Sequence, residues 1–230
     1  MRPIGIIGAM DPEVEGLIAR LDNRAEEVVA GIKFHTGTIF SKPVVIARCG
    51  VGKVFASMCA TAMIIRYQPI LVVNTGVGGA LSESLACADT VVATRLVQHD
   101  MDTSPLGDPV GLISGINRVF FDTDERASNI VVEAAESFGI PVRRGIVATG
   151  DRFVADSETR ERLRTLFGAD VCEMEGGAIA QAAFVSGTPF AVVRAISDSA
   201  NGSSVLDYPA FLKIAAESSE RLTLALIEKY

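Results

Sequence analysis

The amino-acid sequence predicts one α/β domain that spans residues 1–230. This length fits a single domain of that class. Short runs rich in Val, Ile and Ala alternate with stretches of helical apolar spacing, and the chain contains 21 glycines. This alternation is typical of buried, largely parallel strands joined by tight turns to helices.

The N-terminal segment predicts a strand followed by an amphipathic helix. Residues 3–7 form the apolar run of the strand, and residues 8–10 turn out of it. Asp11 is expected to be the N-cap of the helix, with Pro12 at the favoured first helical position. The apolar stripe of this helix consists of Val14, Leu17, Ile18 and Leu21.

The remaining elements follow from the same two patterns. Further strands are expected within 27–40 and at 44–49, 70–74, 90–98, 142–149, 170–172 and 190–196. Helices are expected at about 53–67, 123–138, 158–166, 177–186 and 208–229. Several Gly and Pro residues between 100 and 122 indicate a loop or arm.

Polar or glycine-rich clusters follow many of the predicted strands. These clusters are residues 8–13, 50–53, 74–79, 149–153, 173–175 and 197–198. The ligand crevice of an open α/β sheet lies at the carboxyl ends of its parallel strands. If these strands are parallel, we therefore expect the six clusters to line one pocket.

Composition and charge exclude several classes of protein. The chain is 49% hydrophobic, which excludes a disordered chain. The net charge is −7 and no Lys/Arg block occurs, so no nucleic-acid partner is expected. No uninterrupted apolar run approaches the roughly 18 residues of a membrane helix, so no membrane partner is expected.

The four cysteines indicate a reducing compartment. Cys49, Cys59, Cys87 and Cys172 have no CxxC spacing and lie in apolar runs, where a free thiol behaves as a small hydrophobe. We expect buried thiols and a cytoplasmic location. The apolar run at residues 4–10 lacks a small-residue cleavage site after it, which favours a buried strand over a signal peptide.

Common phosphate, metal and hydrolase motifs do not match. The Gly52-Lys53 pair lacks the rest of a P-loop, because Ala47 and Val54 occupy the positions of the glycine and the Ser or Thr. The chain has only two histidines, His35 and His99, which excludes HExxH and histidine-rich zinc sites. No GxSxG nucleophile motif occurs. We expect neither a metal nor a cofactor.

Four carboxylates lie at predicted strand ends or in the first helical turn. Glu13, Glu173, Glu175 and Asp198 could each be a helix cap or a solvated surface group. Together, at converging ends of separate strands, they indicate an acid/base set.

Six short motifs occur in order along nearly the whole chain. They are Ile4-Gly5-Ile6-Ile7-Gly8-Ala9-Met10 followed by Glu13, Gly50-Val51-Gly52-Lys53, Asn74-Thr75-Gly76, Thr149-Gly150-Asp151-Arg152-Phe153, Val171-Cys172-Glu173-Met174-Glu175 and Arg194-Ala195-Ile196-Ser197-Asp198. In this order and spacing the sequence resembles the methylthioadenosine/S-adenosylhomocysteine nucleosidases of the nucleoside phosphorylase superfamily. The resemblance implies a three-layer fold with a mixed central β-sheet flanked by helices.

The resemblance also implies a reaction. Water cleaves the N-glycosidic bond of 5′-methylthioadenosine, S-adenosylhomocysteine or 5′-deoxyadenosine, and adenine leaves. Asp198 would protonate N7 of the purine, Glu13 would take a proton from the attacking water, and Arg194 would help to fix that water. Glu175 would hold the ribose hydroxyls. Burial beside the apolar strand 190–196 would raise the pKa of Asp198, as an acid working near neutral pH requires.

The same resemblance assigns the substrate contacts. The peptide edge at Phe153-Val154 would bind adenine, with the Phe153 ring stacked on it. Other expected contacts are Gly79, Glu173 and Ser197. The slot for the 5′ substituent would be lined by Met10, Val51, Met174 and Tyr208. Leu106, in the segment 103–106, would complete that slot in a neighbouring subunit, which implies a homodimer.

One departure bears on a phosphorylase alternative. Val77 occupies a position where many such nucleosidases carry Ser, so a polar contact near the ribose or water is in question. Related phosphorylases bind phosphate through an Arg and a Ser in this loop, where this chain has Asn74 and Val77. The first loop carries Asp11, Glu13 and Glu15 instead, and these acids would repel phosphate, which favours hydrolysis.

Two further alternatives stay open. Some bacterial relatives hydrolyse 6-amino-6-deoxyfutalosine in menaquinone synthesis, and residues 96–100 with Val77 are similar to those members. A nucleoside-binding protein without turnover is the third alternative. It would be expected to lack one of Glu13, Glu175 and Asp198, and all three are present.

Overall fold

The structure is a computed structural model that describes residues 1–198 and 208–230, with backbone only at 198 and 208–213. The strands are β1 (Ile4–Gly8), β2 (Asp22–Val29), β3 (Ile32–Ile39), β4 (Lys42–Arg48), β5 (Leu71–Ala80), β6 (Thr90–Gln98), β7 (Phe120–Asp122), β8 (Val142–Thr149), β9 (Val171–Glu173) and β10 (Phe190–Asp198). The helices are α1 (Asp11–Ala19), α2 (Lys53–Tyr67), α3 (Glu125–Ser137), α4 (Ser157–Phe167), α5 (Gly176–Val185) and α6 (Tyr208–Lys229). A short 3₁₀ helix spans Ser104–Leu106.

All described strands belong to one mixed sheet, in the order β10-β6-β8-β9-β5-β1-β4-β3-β2, with β7 paired to β6. Because β10 pairs with both β6 and β5, the strands β5, β10, β6, β8 and β9 close into a ring. The strands β1, β4, β3 and β2 extend outward from β5 as an open sheet. The expectation of a mixed central sheet is confirmed.

The strands are not all parallel. β5 is parallel to β1 and β10, as expected, whereas β9 is antiparallel to β5, and β8 is parallel to β9. The expectation that the strands before the six clusters are all parallel is therefore wrong for β8 and β9. The reason lies in the glycine-rich end of β5, which lets a short strand return alongside it: Cys172 pairs with Gly79, and a Cβ added at Gly78 would lie 2.5 Å from Val171 Cγ1.

Helices cover both faces of the sheet. Consecutive residues of β1 show the alternation of the strand pleat, since Ile7 packs toward α2 and α5 and Ile6 packs toward α1, α3 and α6. Met63 of α2 and Ile179 of α5 belong to the first layer, and Leu226 of α6 belongs to the second. The sheet between two apolar helical layers gives the three-layer architecture.

Two local predictions need correction. Met10, not Asp11, is the N-cap of α1, because the Glu13 carboxylate reaches back to the Met10 N–H at 2.9 Å and satisfies that amide. The segment 27–40 is part of a hairpin of two strands, β2 and β3, with a turn at Ala30-Gly31 where φ is 51° and 78°. β2 also begins earlier, at Asp22, where exposed polar residues carry no apolar alternation.

The other elements agree with the sequence more closely. α2 spans the predicted residues 53–67, and α6 spans the predicted 208–229. Cys49, Cys59 and Cys172 are buried cysteines, but Cys87 is only half-buried, which corrects the expectation for that residue. Among the described residues, no helix combines the length and apolar character needed to cross a membrane.

We predict that Gly78→Ala destabilises the protein by about 2–3 kcal/mol, because the new methyl group would overpack the β5–β9 contact. The obstacles are the stiff Val171 side chain and, at 3.2 Å, the Cys172 carbonyl. Gly5→Ala is the matched control on β1, where the obstacle is the flexible Met63 side chain. Urea unfolding of both variants measures the difference, and an equal loss would contradict this account of β9.

Candidate active site

A cavity of about 240 Å³ lies where β1, β5, β9 and β10 end. Its lining residues are Ala9, Met10, Glu13, Val51, Val77, Gly78, Gly79, Phe153, Cys172, Glu173, Met174, Glu175 and Ser197. Each of the six clusters expected from the sequence contributes at least one of these residues. The clusters meet although β8 and β9 run opposite to β5, because β9 pairs with Gly79 and Ala80 of β5 and the end of β8 lies beside the end of β9.

Glu13 is a buried carboxylate held by three main-chain amides. Its Oε2 accepts N–H bonds from Ala9 at 2.7 Å and Met10 at 2.9 Å, and its Oε1 accepts from Val77 at 3.1 Å. Burial raises the pKa of Glu13 above its usual value, and these amides and the charge of Arg194 offset part of that effect. The side chain is thus fixed in place and is a stronger base than an exposed glutamate.

The lack of a side chain at Gly76 leaves room for the Glu13 carboxylate. A Cβ at position 76 would lie 2.5 Å from Glu13 Oε1, so a side chain there would displace the carboxylate. The next residue, Val77, supplies its main-chain N–H to the same oxygen, and its side chain lines the cavity. This contact to Glu13 comes from the backbone, and the Val77 side chain itself offers no polar group to the cavity.

Glu173 and Arg194 form an ion pair behind the cavity. The Nη2–Oε2 distance is 2.5 Å, and both side chains are 2% exposed. Arg194 also donates to Asn74 Oδ1 and to the main-chain oxygens of Asn74 and Val193. Glu173 accepts from the Thr149 hydroxyl as well. Glu173 lines the cavity as expected, whereas Arg194 is not among its lining residues.

Glu175 lies at the N-terminus of α5 and is 8% exposed. Its Oε1 accepts the Gly52 N–H at 2.8 Å. Burial, together with the neighbouring negative charge of Glu173, raises the pKa of Glu175 to about 7. At neutral pH this carboxyl group is therefore divided between its charged and neutral forms.

The aromatic end of the site is built by Phe153 and Val154. Phe153 lines the main cavity and is 57% exposed, and Val154 is buried. A second cavity of about 40 Å³ is bounded by both residues and by Gly79 and Met174, which also line the main cavity. A planar ring could lie here against the Phe153 face.

The other expected residues fall into three groups. Met10, Val51, Met174, Gly79 and Ser197 line the cavity. Leu106 does not: it lies in the 3₁₀ helix and is 83% exposed. Asp198 is the last residue of β10 and pairs through its backbone with Gly79, and Tyr208 is the first residue of α6. The side chains of Asp198 and Tyr208 lie outside the described part of the structure.

Sequence reasoning missed several contributions to the site. The main-chain amides of Gly52 and Val77, the Asn74 side chain and the Cys172 wall were not foreseen as contacts. Glycines next to predicted strand ends could have indicated the amide contacts, but nothing in the sequence identifies the partner of Asn74. Within the described ranges, no group of three His, Cys, Asp or Glu residues is placed to hold a metal ion.

Comparison with known proteins gives consistent results. A family model described as "Phosphorylase superfamily" matches residues 3–228. A 5′-methylthioadenosine/S-adenosylhomocysteine nucleosidase of Halalkalibacterium halodurans is 38% identical over 228 residues, which cover 99% of this chain and 98% of that protein. A mutant nucleosidase of the same name from Helicobacter pylori, solved with 5′-methylthioadenosine in its active site, has a TM-score of 0.95 and 31% identity, and all of both chains are covered.

A futalosine hydrolase of Helicobacter pylori also has this fold, with a TM-score of 0.93 and 33% identity over 100% of this chain and 98% of that chain. The family model and the relatives span nearly the full length, which confirms the resemblance carried by the six motifs. The chain therefore belongs to the phosphorylase superfamily and, within it, to the 5′-methylthioadenosine/S-adenosylhomocysteine nucleosidases.

Proposed function

We propose that this protein hydrolyses the N-glycosidic bond of 5′-methylthioadenosine and S-adenosylhomocysteine, and of 5′-deoxyadenosine, to adenine and the 5-substituted ribose. The observation that best supports this function is the buried Glu13 carboxylate, fixed by three amides at the wall of a cavity that also contains Glu175. Glycosidic cleavage through an oxocarbenium-like state needs an acid for the leaving group and a base for the water.

Glu13 is the proposed base. A carboxylate offers about four lone-pair directions on its two oxygens, and the Ala9, Met10 and Val77 amides occupy three of them. The remaining direction, on Oε1, can accept a proton from a water molecule in the cavity. Because burial raises the pKa of Glu13, the group is better matched to proton transfer near neutral pH.

Glu175 is the proposed partner of the ribose. One of its oxygens accepts the Gly52 N–H, and the side chain lines the cavity, so the other oxygen can accept from the sugar hydroxyls. Its negative charge would stabilise the positive charge that develops on the sugar ring in the transition state. The same charge, with Glu13, opposes a bound phosphate ion, which supports hydrolysis over phosphorolysis.

Asp198 and Arg194 complete the proposal. The Asp198 backbone pairs with Gly79 at the edge of the cavity, and the family resemblance supports this residue as the acid at N7. The Nη1 and Nη2 groups of Arg194 donate to Glu173, Asn74 and Val193, its buried Nε has no hydrogen-bond partner among the described residues, and the side chain does not line the cavity. We therefore assign Arg194 a positioning role, through Glu173 and its charge near Glu13, in place of the direct contact with water implied by the resemblance.

A homodimer would complete the 5′ slot. Leu106 is 83% exposed on the 3₁₀ helix. The helix α2 presents an exposed apolar surface formed by Val54, Phe55, Met58 and Ile65. Both features support a second copy that covers α2 and inserts Leu106 beside Val51. The cysteines of the described residues are thiols rather than disulfides, which supports the cytoplasmic location expected from the sequence.

A second candidate substrate is 6-amino-6-deoxyfutalosine, which shares the N-glycosidic bond to adenine. The likeness to a futalosine hydrolase supports it. The two candidates differ only in the group that extends from the 5′ end of the sugar, so the same catalytic residues would serve both.

Adenine release in phosphate-free buffer tests the proposed function. The pure protein should release adenine from 5′-methylthioadenosine and S-adenosylhomocysteine without phosphate. The same assay with 6-amino-6-deoxyfutalosine ranks the second candidate by kcat/KM. A strict requirement for phosphate, or no release from any of these nucleosides, would contradict the hydrolase assignment.

We predict that Glu13→Gln lowers kcat by roughly 10²–10⁴-fold, because the amide keeps the shape of the side chain but cannot take a proton from water. Glu15→Gln, two residues further along α1 and exposed, should leave kcat unchanged. Steady-state kinetics on both variants, with far-UV circular dichroism to verify folding, measure this. Turnover near the wild-type rate in Glu13→Gln would remove Glu13 from the mechanism.

The pKa of Glu175 predicts a pH dependence of stability. Between its usual value of 4.5 and the value of about 7 in the folded protein, the unfolded chain releases the proton while the native protein keeps it. The contribution of Glu175 to the free energy of unfolding therefore decreases as pH rises through this window. Glu175→Gln removes that decrease. From pH 4.5 to 7, the free energy of unfolding of the variant should therefore rise relative to that of the wild type by on the order of 2–3 kcal/mol.

Urea unfolding at several pH values measures this gain in the free energy of unfolding. Glu217→Gln, on an exposed position of α6, is the matched control for a change of Glu to Gln. A constant difference between wild type and Glu175→Gln across the window would show that burial does not hold the proton on Glu175.

We predict that Leu106→Ala raises KM for 5′-methylthioadenosine about tenfold, since an apolar wall of the partner's slot is lost. The stability of the monomer fold should hardly change, because Leu106 is 83% exposed within one chain. Val28→Ala, at another exposed position on β2, is the control. Sedimentation equilibrium should give a dimer for the wild type, and a monomer with full activity would exclude this arrangement.

A further inference from the structure

The loop between β4 and α2 supplies two parts of the site. Val51 lines the cavity, and the Gly52 N–H donates to Glu175 Oε1 at 2.8 Å. Gly52 is also the N-cap of α2, with φ at 99°, and it has no side chain with which to cap the helix. Another group must therefore accept the free amide at the start of α2.

Asp151, from the end of β8, accepts that amide. Its Oδ1 is 2.7 Å from the N–H of Lys53, the first residue of α2. The Lys53 ammonium in turn binds Asp100 Oδ1 at 2.6 Å, and Asp100 Oδ2 accepts the Asp151 N–H at 2.9 Å. We call these three residues, Lys53, Asp100 and Asp151, the clamp; it joins the start of α2 to the ends of β6 and β8.

Two consecutive amides at the start of α2 thus bind carboxylates from two different elements. Gly52 binds Glu175 of the β9–α5 segment, and Lys53 binds Asp151. Both carboxylates lie at the positive end of the α2 dipole. Since adjacent peptide planes share one Cα, fixing the Lys53 N–H restricts the directions that the Gly52 N–H can take.

We propose that Asp151 is a positioning residue for the reaction. Through the Lys53 N–H it fixes the start of α2, and with it the Gly52 N–H that orients Glu175 and the Val51 side chain in the 5′ slot. Asp151 is not among the residues that line the cavity, so it acts through this loop rather than on the substrate. This inference rests on the role proposed above for Glu175.

The clamp has a consequence for the ionisation of Glu175. The charges of Glu173 from β9 and Glu13 from α1 raise the pKa of Glu175, whereas the Gly52 N–H and the Arg194 charge from β10 lower it. If the Gly52 N–H moves away, the pKa of Glu175 rises further. The acid limb of the pH–rate profile would then move to higher pH, because the charged form of Glu175 is the form that stabilises the transition state.

The decisive variant is Asp151→Ala, with Asp151→Asn as the conservative partner that keeps an Oδ1 acceptor. Asp124→Ala is the matched control: Asp124 caps α3 by accepting the Ala127 N–H, also at 2.7 Å, and it does not line the cavity. The measurements are kcat and KM for 5′-methylthioadenosine as a function of pH, and amide hydrogen exchange of residues 50–54 without substrate.

We expect Asp151→Ala to raise KM about fivefold, to move the acid limb to higher pH and to speed amide exchange at Gly52 and Lys53. Asp151→Asn should resemble the wild type in all three measurements. Asp124→Ala should lose stability while its KM, pH profile and exchange at 50–54 stay unchanged. This set of results would support the positioning role.

Three outcomes would overturn the proposal. The acid limb and the exchange at Gly52 could stay unchanged in Asp151→Ala, Asp151→Asn could behave as Asp151→Ala does, or Asp124→Ala could produce the same kinetic changes. Failure of the proposed function is distinguishable, because it would appear as wild-type protein that releases no adenine. The exchange measurement reports on the clamp in either case.

Discussion

The buried ion pair between Arg194 and Glu173 holds together the strands on which the cavity depends. Its guanidinium contacts Asn74 on β5, Val193 on β10 and Glu173 at the end of β9. Removal of two such charges from water costs several kcal/mol per ion, and good geometry with additional hydrogen bonds is needed to offset it. The hydrogen bonds from Thr149, Glu175 and Gly176 to Glu173 supply that geometry.

The same pair sets the electrostatics of the cavity. Arg194 neutralises the charge of the Glu173 carboxylate. Glu13 and Glu175 remain as two further acids beside this ion pair. Burial then raises the pKa of both groups. A site with this charge can accept a proton from water and favour a cationic sugar, and the described lining of the main cavity includes no Lys or Arg that would attract an anion. The ion pair therefore links the closure of the strand ring to the chemistry of the site.

Local signals allowed much of the fold to be predicted. Glycine at 52 and Pro69 mark the ends of α2, so its bounds followed from the sequence alone. The direction of β9 did not follow, since three residues carry no signal of orientation and the direction is set by pairing with strands distant in the sequence, such as that of Cys172 with Gly79. Polar strand ends indicated where the site lies, but the partner of Arg194 depends on contacts between residues 120 positions apart.

Residues 74–79 of β5 show why the side chain at one position says little about a contact made by the main chain. The Val77 side chain offers no polar group, whereas its main-chain N–H donates to Glu13, and any residue except proline carries that donor. Position 76 does not tolerate other residues in this way, because a methyl group there would lie 2.5 Å from the Glu13 carboxylate. Because the main chain makes the contact with Glu13, the Val77 side chain can shape the cavity wall without disturbing the base.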